Sequence, residues 1–202
     1  MDLFKRYTFL QLISLIYCKI RTIFTFKDAR IIRFPIDIRG KKYIKVSKGF
    51  TTGVGCRIEA YPENNQTTLT FGENFQMNDY VHITAMEKVQ IGNNVLFASK
   101  IYVSDCSHGS YAGDENDSNP ESIPHNRPLF SKPVIIEDNV WLGEFVSVLP
   151  GVKIGKGSIV GANSVVSKSL PPNVIAVGSP AKPIKKFNFE TQKWEKYKEN
   201  QI

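Results

Sequence analysis

The sequence has few of the features that mark a disulfide-bonded, metal-binding or membrane-spanning protein. Its three cysteines, Cys18, Cys56 and Cys106, are an odd number without metal-ligand spacing, which favours free thiols in a reducing compartment. The longest charge-free apolar run, Tyr7 to Cys18, has twelve residues and is too short for a helix that spans a bilayer. No Ala-x-Ala-like site follows this run, so we do not expect a cleaved signal peptide.

Length and charge are more informative about the kind of partner. The chain has 202 residues, 42% of them hydrophobic, which is sufficient for one globular domain. Basic residues outnumber acidic ones by 26 to 19, for a formal charge of +7, and this excess favours anionic partners. The lysines are not interleaved with aromatic residues on one sheet, so nucleic-acid binding is not expected.

An aliphatic residue returns at every sixth position over a long stretch, and a small or apolar residue follows four positions after each. This period is neither helical nor a simple alternation, and it predicts a solenoid of very short strands. Gly143, Gly155 and Gly161 directly follow repeat residues, where we expect sharp turns. The two series are Ile136, Leu142, Val148, Ile154, Val160 and Val166, and Val140, Val146, Val152, Ser158, Ser164 and Leu170.

The same frame continues in pieces towards the N-terminus. It shifts between residues 62 and 66 and again before Ile91, which predicts small extrusions from the coils. Between residues 106 and 132 the repeat is absent, and a polar loop of this length inside a compact domain is usually functional or disordered. The earlier pieces of the frame are Val46, Thr52 and Ile58, then Phe71, Met77 and Ile83, then Ile91, Phe97 and Val103.

Three segments are predicted along the chain. Residues 1–29 form an amphipathic N-terminal helix, residues 30–186 form the solenoid domain with its loop at 106–132, and residues 187–202 form a short helix or cap with Trp194 and Tyr197 on its buried face.

Basic residues border the apolar part of the N-terminal helix. The helix therefore either packs on the domain or a sister subunit, or binds peripherally to an anionic leaflet. These basic residues are Lys5, Arg6, Lys19 and Arg21.

The repeats resemble those of the hexapeptide-repeat acyltransferases over roughly residues 30–187. The spacing of the site residues is similar to that of the galactoside and maltose acetyltransferases. Other segments look like the O-acetyltransferases of bacterial lipopolysaccharide O-antigen synthesis. The matching repeats are FGENFQMNDYVHI, IGNNVLFASKIYVSD, IIEDNVWLGEFVSVLPGVKIGKGSIVGANSVV and PPNVIAVGSPAKPIKK, and the other segments are ARIIRFPIDIRG, GFTTGVGCRIEAY and PHNRPL.

The resemblance implies an all-β fold: a left-handed parallel β-helix of hexapeptide repeats with an N-terminal helix, a long loop excursion and a short C-terminal helix. It also implies a homotrimer with active sites between subunits. Acetyl-CoA would be the co-substrate, and no metal is expected.

His108, at the root of the long loop, is the candidate general base. A neutral imidazole suits this role near neutral pH, and the matching histidine in the family has it. A histidine that only caps the loop is the alternative. Asp105 either orients His108 or stabilises a turn.

The acceptor residues are assigned by the resemblance. Asn78 lies thirty residues before His108, the interval that the sugar acetyltransferases keep between their acceptor-binding asparagine and their histidine. Asp79 is a weaker candidate, and a corner asparagine bonded to backbone is the alternative for Asn78. Those enzymes have an acidic pair where this chain has alanine and methionine, which leaves the acceptor open. Arg127 in the loop is a candidate for binding an anionic group of the acceptor.

The resemblance also implies a coenzyme site along the C-terminal coils. Trp141 would line the pantetheine channel, and the backbone N–H near Gly143 and Glu144 would stabilise the oxyanion. Core packing for Trp141 and a solvated basic face for the lysines are the alternatives. The other candidates are Ala162 and Ser167 through their backbone, and Lys168, Lys182 and Lys185 through the coenzyme phosphates.

The resemblance, together with these residues, implies direct acetyl transfer from acetyl-CoA to a sugar hydroxyl of a cell-surface polysaccharide. The acceptor is a sugar or glycan, and its linkage to a lipid is left open. The protein is expected in the cytoplasm, either free or on the inner face of the cytoplasmic membrane. N-acetylation of an amino sugar nucleotide and acetylation of a small xenobiotic are the alternatives within acyl transfer. A non-catalytic scaffold, a covalent route through Cys106, and a zinc site built from His82, His108 and His125 are further alternatives.

Overall fold

The computed structural model describes residues 7–198, and these form one α-helix followed by short strands wound into stacked coils. Helix α1 (Phe9–Thr25) begins at Thr8, whose hydroxyl and the Gln11 side chain form a capping box. No helix in this part of the chain is long and apolar enough to cross a membrane.

Each coil contributes strands to three faces, called A, B and C in the order in which the chain visits them. Strand pairing within each face is parallel. Face A contains β3 (Thr51–Thr52), β6 (Gln76–Met77), β9 (Leu96–Phe97), β14 (Trp141–Leu142), β17 (Ile159–Val160) and β19 (Val174–Val177). Face B contains β1 (Ile36–Arg39), β4 (Cys56–Ala60), β7 (His82–Ala85), β10 (Tyr102–Ser104), β15 (Ser147–Val148) and β18 (Val165–Val166). Face C contains β2 (Ile44–Val46), β5 (Leu69–Phe71), β8 (Val89–Ile91), β13 (Val134–Ile136) and β16 (Lys153–Ile154).

The strand register confirms the six-residue period as three hexapeptides per coil. Leu142 pairs with Val160 on face A, and Val148 pairs with Val166 on face B, so 160 − 142 and 166 − 148 each give 18 residues. The six repeat residues from Ile136 to Val166 are all fully buried. The predicted parallel β-helix is therefore confirmed.

Two serines of the second series have buried hydroxyl groups that form hydrogen bonds inside the narrow interior of the coils. Ser158 and Ser164 replace aliphatic residues there and are fully buried. Ser158 Oγ donates to Pro171 O at 2.9 Å, and Ser164 Oγ accepts from Gly178 N at 3.0 Å. Because each hydroxyl has a backbone partner, its burial carries little penalty.

The glycines of the repeat are required for a different reason from the one predicted. Gly143 and Gly155 are not among the residues with a left-handed φ. A Cβ atom at Gly143 would lie 2.7 Å from Ala162 N, and one at Gly155 would lie 2.4 Å from Pro172 N. Close approach of the next coil, rather than a sharp turn, therefore demands glycine. Many of the turns themselves use left-handed non-glycine residues such as Asn74, Asn94, Asn139, Asn163 and Asn173.

The predicted extrusions and the long loop lie at one corner of the coils, the corner between faces B and C, here called the BC corner. Residues 61–68 connect β4 to β5, and residues 86–88 connect β7 to β8. Between β10 and β13 the loop begins and ends as an antiparallel hairpin of β11 (Cys106–His108) and β12 (Leu129–Ser131). A 3-10 turn at Pro124–Asn126 lies within this loop.

The predicted C-terminal helix is wrong. Strands β20 (Lys182–Asn188) and β21 (Lys193–Lys196) form antiparallel pairs that extend face A beyond β19, and the boundary expected at residue 187 falls inside β20. Phe187 lies opposite Trp194 in this hairpin with ring centroids 5.3 Å apart. A cross-strand aromatic pair of this kind stabilises a hairpin and outweighs the helical spacing of Trp194 and Tyr197.

Candidate active site

His108 ends β11 at the root of the long loop. Its backbone pairs with Leu129 across the hairpin, and its carbonyl oxygen accepts a hydrogen bond from the Tyr111 hydroxyl at 2.6 Å. The imidazole is exposed and its centroid lies 6.5 Å from that of His125. The backbone of His108 is thus fixed while its side chain is exposed to solvent.

A groove of about 420 Å³ runs beside this root. Ser107, Gly109 and Tyr111 line it from the loop, and Leu149, Pro150 and Ser167 line it from the BC corners of the following coils. The groove therefore connects the residues that flank His108 with Ser167, which the sequence predicts to contact the coenzyme.

Arg127 maintains the conformation of the loop. Its guanidinium donates to the Ser122 hydroxyl at 2.9 Å, the Tyr111 hydroxyl at 2.8 Å, and the carbonyl oxygens of Pro120 and Ser122. These four donor contacts lie inside the loop and stabilise its conformation, and the predicted contact of Arg127 with an anionic acceptor stays a prediction.

Asp105 is buried at the base of the loop. Its carboxylate accepts hydrogen bonds from the backbone N–H groups of Met86, Glu87 and Lys88 at 2.7 to 3.1 Å. Burial raises the pKa of Asp105, while these N–H donors act in the opposite direction. The turn interpretation of Asp105 replaces the orienting one, because the carboxylate stabilises the BC corner of the preceding coil.

Asn78 and Asp79 lie at the corner between faces A and B, here called the AB corner. The Asn78 carbonyl of the side chain accepts a hydrogen bond from Gln76 Nε2 at 3.4 Å near the surface. Asp79 Oδ1 accepts one from Val54 N at 2.8 Å. Asp79 therefore connects two coils through one carboxylate oxygen, and both Asn78 and Asp79 are half-buried, so their predicted acceptor contacts stay predictions.

Trp141, Glu144 and Ala162 follow at or beside the AB corner of later coils. Trp141 is 47% exposed, which excludes core packing as its role. Gly143 N donates to Val160 O at 2.8 Å within the ladder, so the amide of Glu144 is the candidate for an oxyanion. Ala162 lies directly over Gly143, since a Cβ there would meet Ala162 N.

The three candidate lysines occupy different positions. Lys168 is exposed at the BC corner next to Ser167. Lys182 pairs with Val177, whose side chain would meet a Cβ at Gly161, so Lys182 lies above the AB corner. Lys185 pairs with Ile175 further along face A and lies away from that corner.

The predicted site residues thus fall on two separate corners of one chain. His108, Ser167 and Lys168 lie on the BC side, while Asn78 and Glu144 lie on the AB side. Face B separates them, and about six residues at about 3.3 Å each correspond to about 20 Å. One chain alone does not bring His108 to Asn78.

Neither the cysteine nor the zinc alternative gains support from the geometry. Burial raises the pKa of Cys106, which disfavours the thiolate that a nucleophile requires. Residues 7–198 contain no group of three or more His, Cys, Asp or Glu side chains that could bind a metal ion.

Sequence reasoning missed a charged cluster on face B centred on Glu59. This residue is only 3% exposed. It accepts hydrogen bonds from Arg57 at 2.6 Å and Tyr61 at 2.7 Å, lies 3.0 Å from His82 Nε2, and pairs with Arg39. Burial by itself raises the pKa of Glu59, but the His82, Tyr61 and Arg57 contacts outweigh it and lower the pKa to about 2. The signal in the sequence was an acidic residue inside a strand with Arg57 and Tyr61 two residues to either side, a spacing that puts the three side chains on one side of the strand.

Replacing Glu59 with glutamine should remove an acid-sensitive part of the stability. A folded pKa of about 2 against an ordinary value of 4.5 means that the carboxylate stabilises the fold above about pH 4.5, by about 3 kcal/mol. This contribution is lost as the pH falls from 4.5 towards 2. Urea unfolding should show that the free energy of unfolding falls less between pH 6 and pH 3 for Glu59→Gln than for wild type. Glu63→Gln, at an exposed position, should behave like wild type. If the free energy of unfolding fell equally between pH 6 and pH 3 in Glu59→Gln and Glu63→Gln, the assignment would be contradicted.

Comparisons with known proteins agree with this architecture. The family description "Bacterial transferase hexapeptide (six repeats)" matches residues 133–168. A protein of Escherichia coli (strain K12) provisionally named the lipopolysaccharide biosynthesis O-acetyl transferase WbbJ is 45% identical over 196 residues, covering 97% of this chain and 98% of the relative. Galactoside O-acetyltransferase of the same organism is 35% identical over 122 residues, covering 60% of this chain and 56% of the relative.

Solved structures give the same fold. A galactoside acetyltransferase in complex with coenzyme A is 32% identical and superposes with a TM-score of 0.53, covering 75% of this chain and 71% of the other. A variant of the N-acyltransferase AntD from Bacillus cereus superposes with a TM-score of 0.66 at 21% identity, covering 81% and 83%. At that identity AntD supports the fold alone.

Proposed function

The chain belongs to the hexapeptide-repeat acetyltransferases, left-handed parallel β-helix enzymes that use acetyl-CoA, and we propose that it acetylates a sugar hydroxyl of a cell-surface polysaccharide. The WbbJ relative is named for lipopolysaccharide biosynthesis, which supports a polysaccharide acceptor. The galactoside O-acetyltransferase supports a sugar hydroxyl as the group that is acetylated. The acceptor in this proposal is a sugar unit of lipopolysaccharide.

His108 acts as the general base in this proposal. Its imidazole removes the proton of the acceptor hydroxyl as the oxygen attacks the thioester carbon of acetyl-CoA. The N–H of Glu144 donates to the oxyanion of the tetrahedral intermediate, and a donor of this kind contributes about 3 kcal/mol. When the intermediate collapses, the C–S bond breaks and the imidazolium returns its proton to the CoA sulfur. Both substrates are bound together, so no acyl-enzyme forms.

The active site lies between two subunits of a homotrimer. The observation that carries this part of the proposal is the separation of the candidate residues on two corners, because the BC corner of one subunit must meet the AB corner of the next to complete the site. Trp141, Ala162 and Lys182 then contact the coenzyme from one subunit, and Ser167 and Lys168 contact it from the other. Asn78 binds the acceptor near the reacting hydroxyl.

Acetyl transfer from labelled acetyl-CoA to purified saccharides tests the reaction class. We expect label in lipopolysaccharide-type saccharides, with release of free CoA in equal amount, and removal of the label by mild alkali, because an ester is cleaved there while an amide is not. An alkali-stable product would instead establish N-acetylation of an amino sugar. The absence of transfer to any hydroxyl acceptor would contradict the proposal.

A further inference from the structure

Helix α1 exposes its apolar side chains on the face that points away from the coils. Its opposite face contains Cys18 and Thr22, which are buried. A surface helix ordinarily directs its apolar stripe to the core, so this helix has the reverse arrangement. The eight outward residues are between 48% and 81% exposed: Phe9, Leu10, Ile13, Ile16, Tyr17, Ile20, Ile23 and Phe24.

Polar contacts attach α1 to the first coil. Thr22 Oγ1 accepts a hydrogen bond from the backbone N–H of Ile32 at 2.8 Å, and Lys19 Nζ donates to Arg30 O at 2.6 Å. Ile32 is fully buried and begins the stack of coils. The helix therefore covers the N-terminal end of the β-helix with the side that contains Leu15, Cys18 and Thr22, and its larger apolar face forms the outer surface of that end.

Cations border this apolar face. At 100° per residue the eight outward residues cover an arc of about 140°, and Lys19 and Arg21 lie just beyond its two edges. Lys41 Nζ donates to Phe24 O at 3.3 Å, which places a third cation at the C-terminal end of α1. Residues 9–25 include no acidic residue. An apolar stripe with basic borders is the pattern of helices that lie in the interface of an anionic lipid leaflet.

We propose that α1 is a peripheral membrane anchor, which inserts its apolar stripe into an anionic lipid leaflet and places Lys19, Arg21 and Lys41 among the headgroups. A second copy of α1 is a poorer occupant, because two such faces would bring like charges together without an acidic partner on either helix. In the proposed trimer, subunits meet along their corners, while the α1 helices lie at one end. Three anchors on the same end strengthen one another by avidity. The trimer rests on the proposed function, whereas the anchor does not.

Vesicle co-sedimentation of the purified full-length protein tests the anchor. We expect binding to vesicles that contain phosphatidylglycerol, weaker binding to phosphatidylcholine vesicles, and a decrease as salt is raised. Ile16→Gln/Ile20→Gln should lower the partition coefficient about tenfold or more, because two inserted side chains lose their apolar surface. Ile184→Gln/Phe189→Gln is the matched control, since these exposed residues lie on the C-terminal hairpin at the other end of the β-helix, and it should bind like wild type.

Two further measurements separate the anchor from its alternatives. Light scattering should give the same subunit number for wild type and Ile16→Gln/Ile20→Gln, and acetyl transfer to a soluble saccharide should be unchanged. If the double variant alters the subunit number, the face is a subunit contact and the proposal is wrong. Equal vesicle binding by wild type and double variant, or no binding by wild type to anionic vesicles, would also overturn it. Vesicle binding without any acetyl transfer would refute the proposed function and leave the anchor standing.

Discussion

Replacing His108 with alanine is expected to lower kcat about a thousandfold, within the range of about 10² to 10⁴ that general base catalysis contributes. The side chain of His108 is exposed, and the contacts that hold this residue in place are made by its backbone. The variant should therefore fold normally and bind CoA like wild type. Steady-state kinetics with a saccharide acceptor, together with a CoA-binding titration, separates loss of catalysis from loss of binding.

Two neighbouring residues supply the controls for this experiment. His125→Ala removes an imidazole whose centroid lies 6.5 Å away, and Cys106→Ser removes the thiol of the covalent alternative. Both variants should retain activity within a few-fold of wild type. A His108→Ala variant that keeps the kcat of wild type would refute the base assignment.

Much of the fold could be predicted from the sequence because the repeat imposes one physical requirement in every coil. An interior wide enough for one layer of side chains needs an aliphatic residue at each sixth position, and residues such as Leu142 and Val160 meet it. The helix predicted after residue 187 failed because helical spacing of Trp194 and Tyr197 was the only local signal. The pairing of Phe187 with Trp194 depends on β20 and β21 meeting in space.

The places of the candidate residues in the fold could be predicted from the sequence, but their side-chain contacts could not. His108 lies where the six-residue repeat is interrupted, and the sequence alone shows this interruption. The partners of Asp105, Asp79 and Arg127 depend on which backbone groups face them, and a sequence does not display those groups. Asp105, for example, accepts from three amides of the preceding coil, nearly twenty residues away. The Glu59 cluster was missed in part for the same reason, since Arg39 and His82 come from the neighbouring coils, whereas Arg57 and Tyr61 lie two residues from Glu59 in the chain.

Because the site residues lie on two separate corners, we expect that two inactive variants regain activity when their subunits are mixed. A subunit with His108→Ala keeps an intact AB corner, and a subunit with Asn78→Ala keeps an intact BC corner. If each active site combines the BC corner of one subunit with the AB corner of the next, a mixed trimer contains some sites with both native residues. For an equal mixture, random assembly around a closed three-fold ring gives both native residues at about a quarter of the sites.

Mixing these two variants is the measurement that tests the shared active site most directly. The two proteins are unfolded together, refolded in equal amounts and assayed for acetyl transfer, with each variant refolded alone as the control. We predict that the mixture recovers about a quarter of wild-type activity, provided that subunits assemble at random, while each variant alone stays nearly inactive. Activity of the mixture no higher than the mean of the two separate variants would show that the site does not combine His108 and Asn78 from different subunits, and would contradict the account.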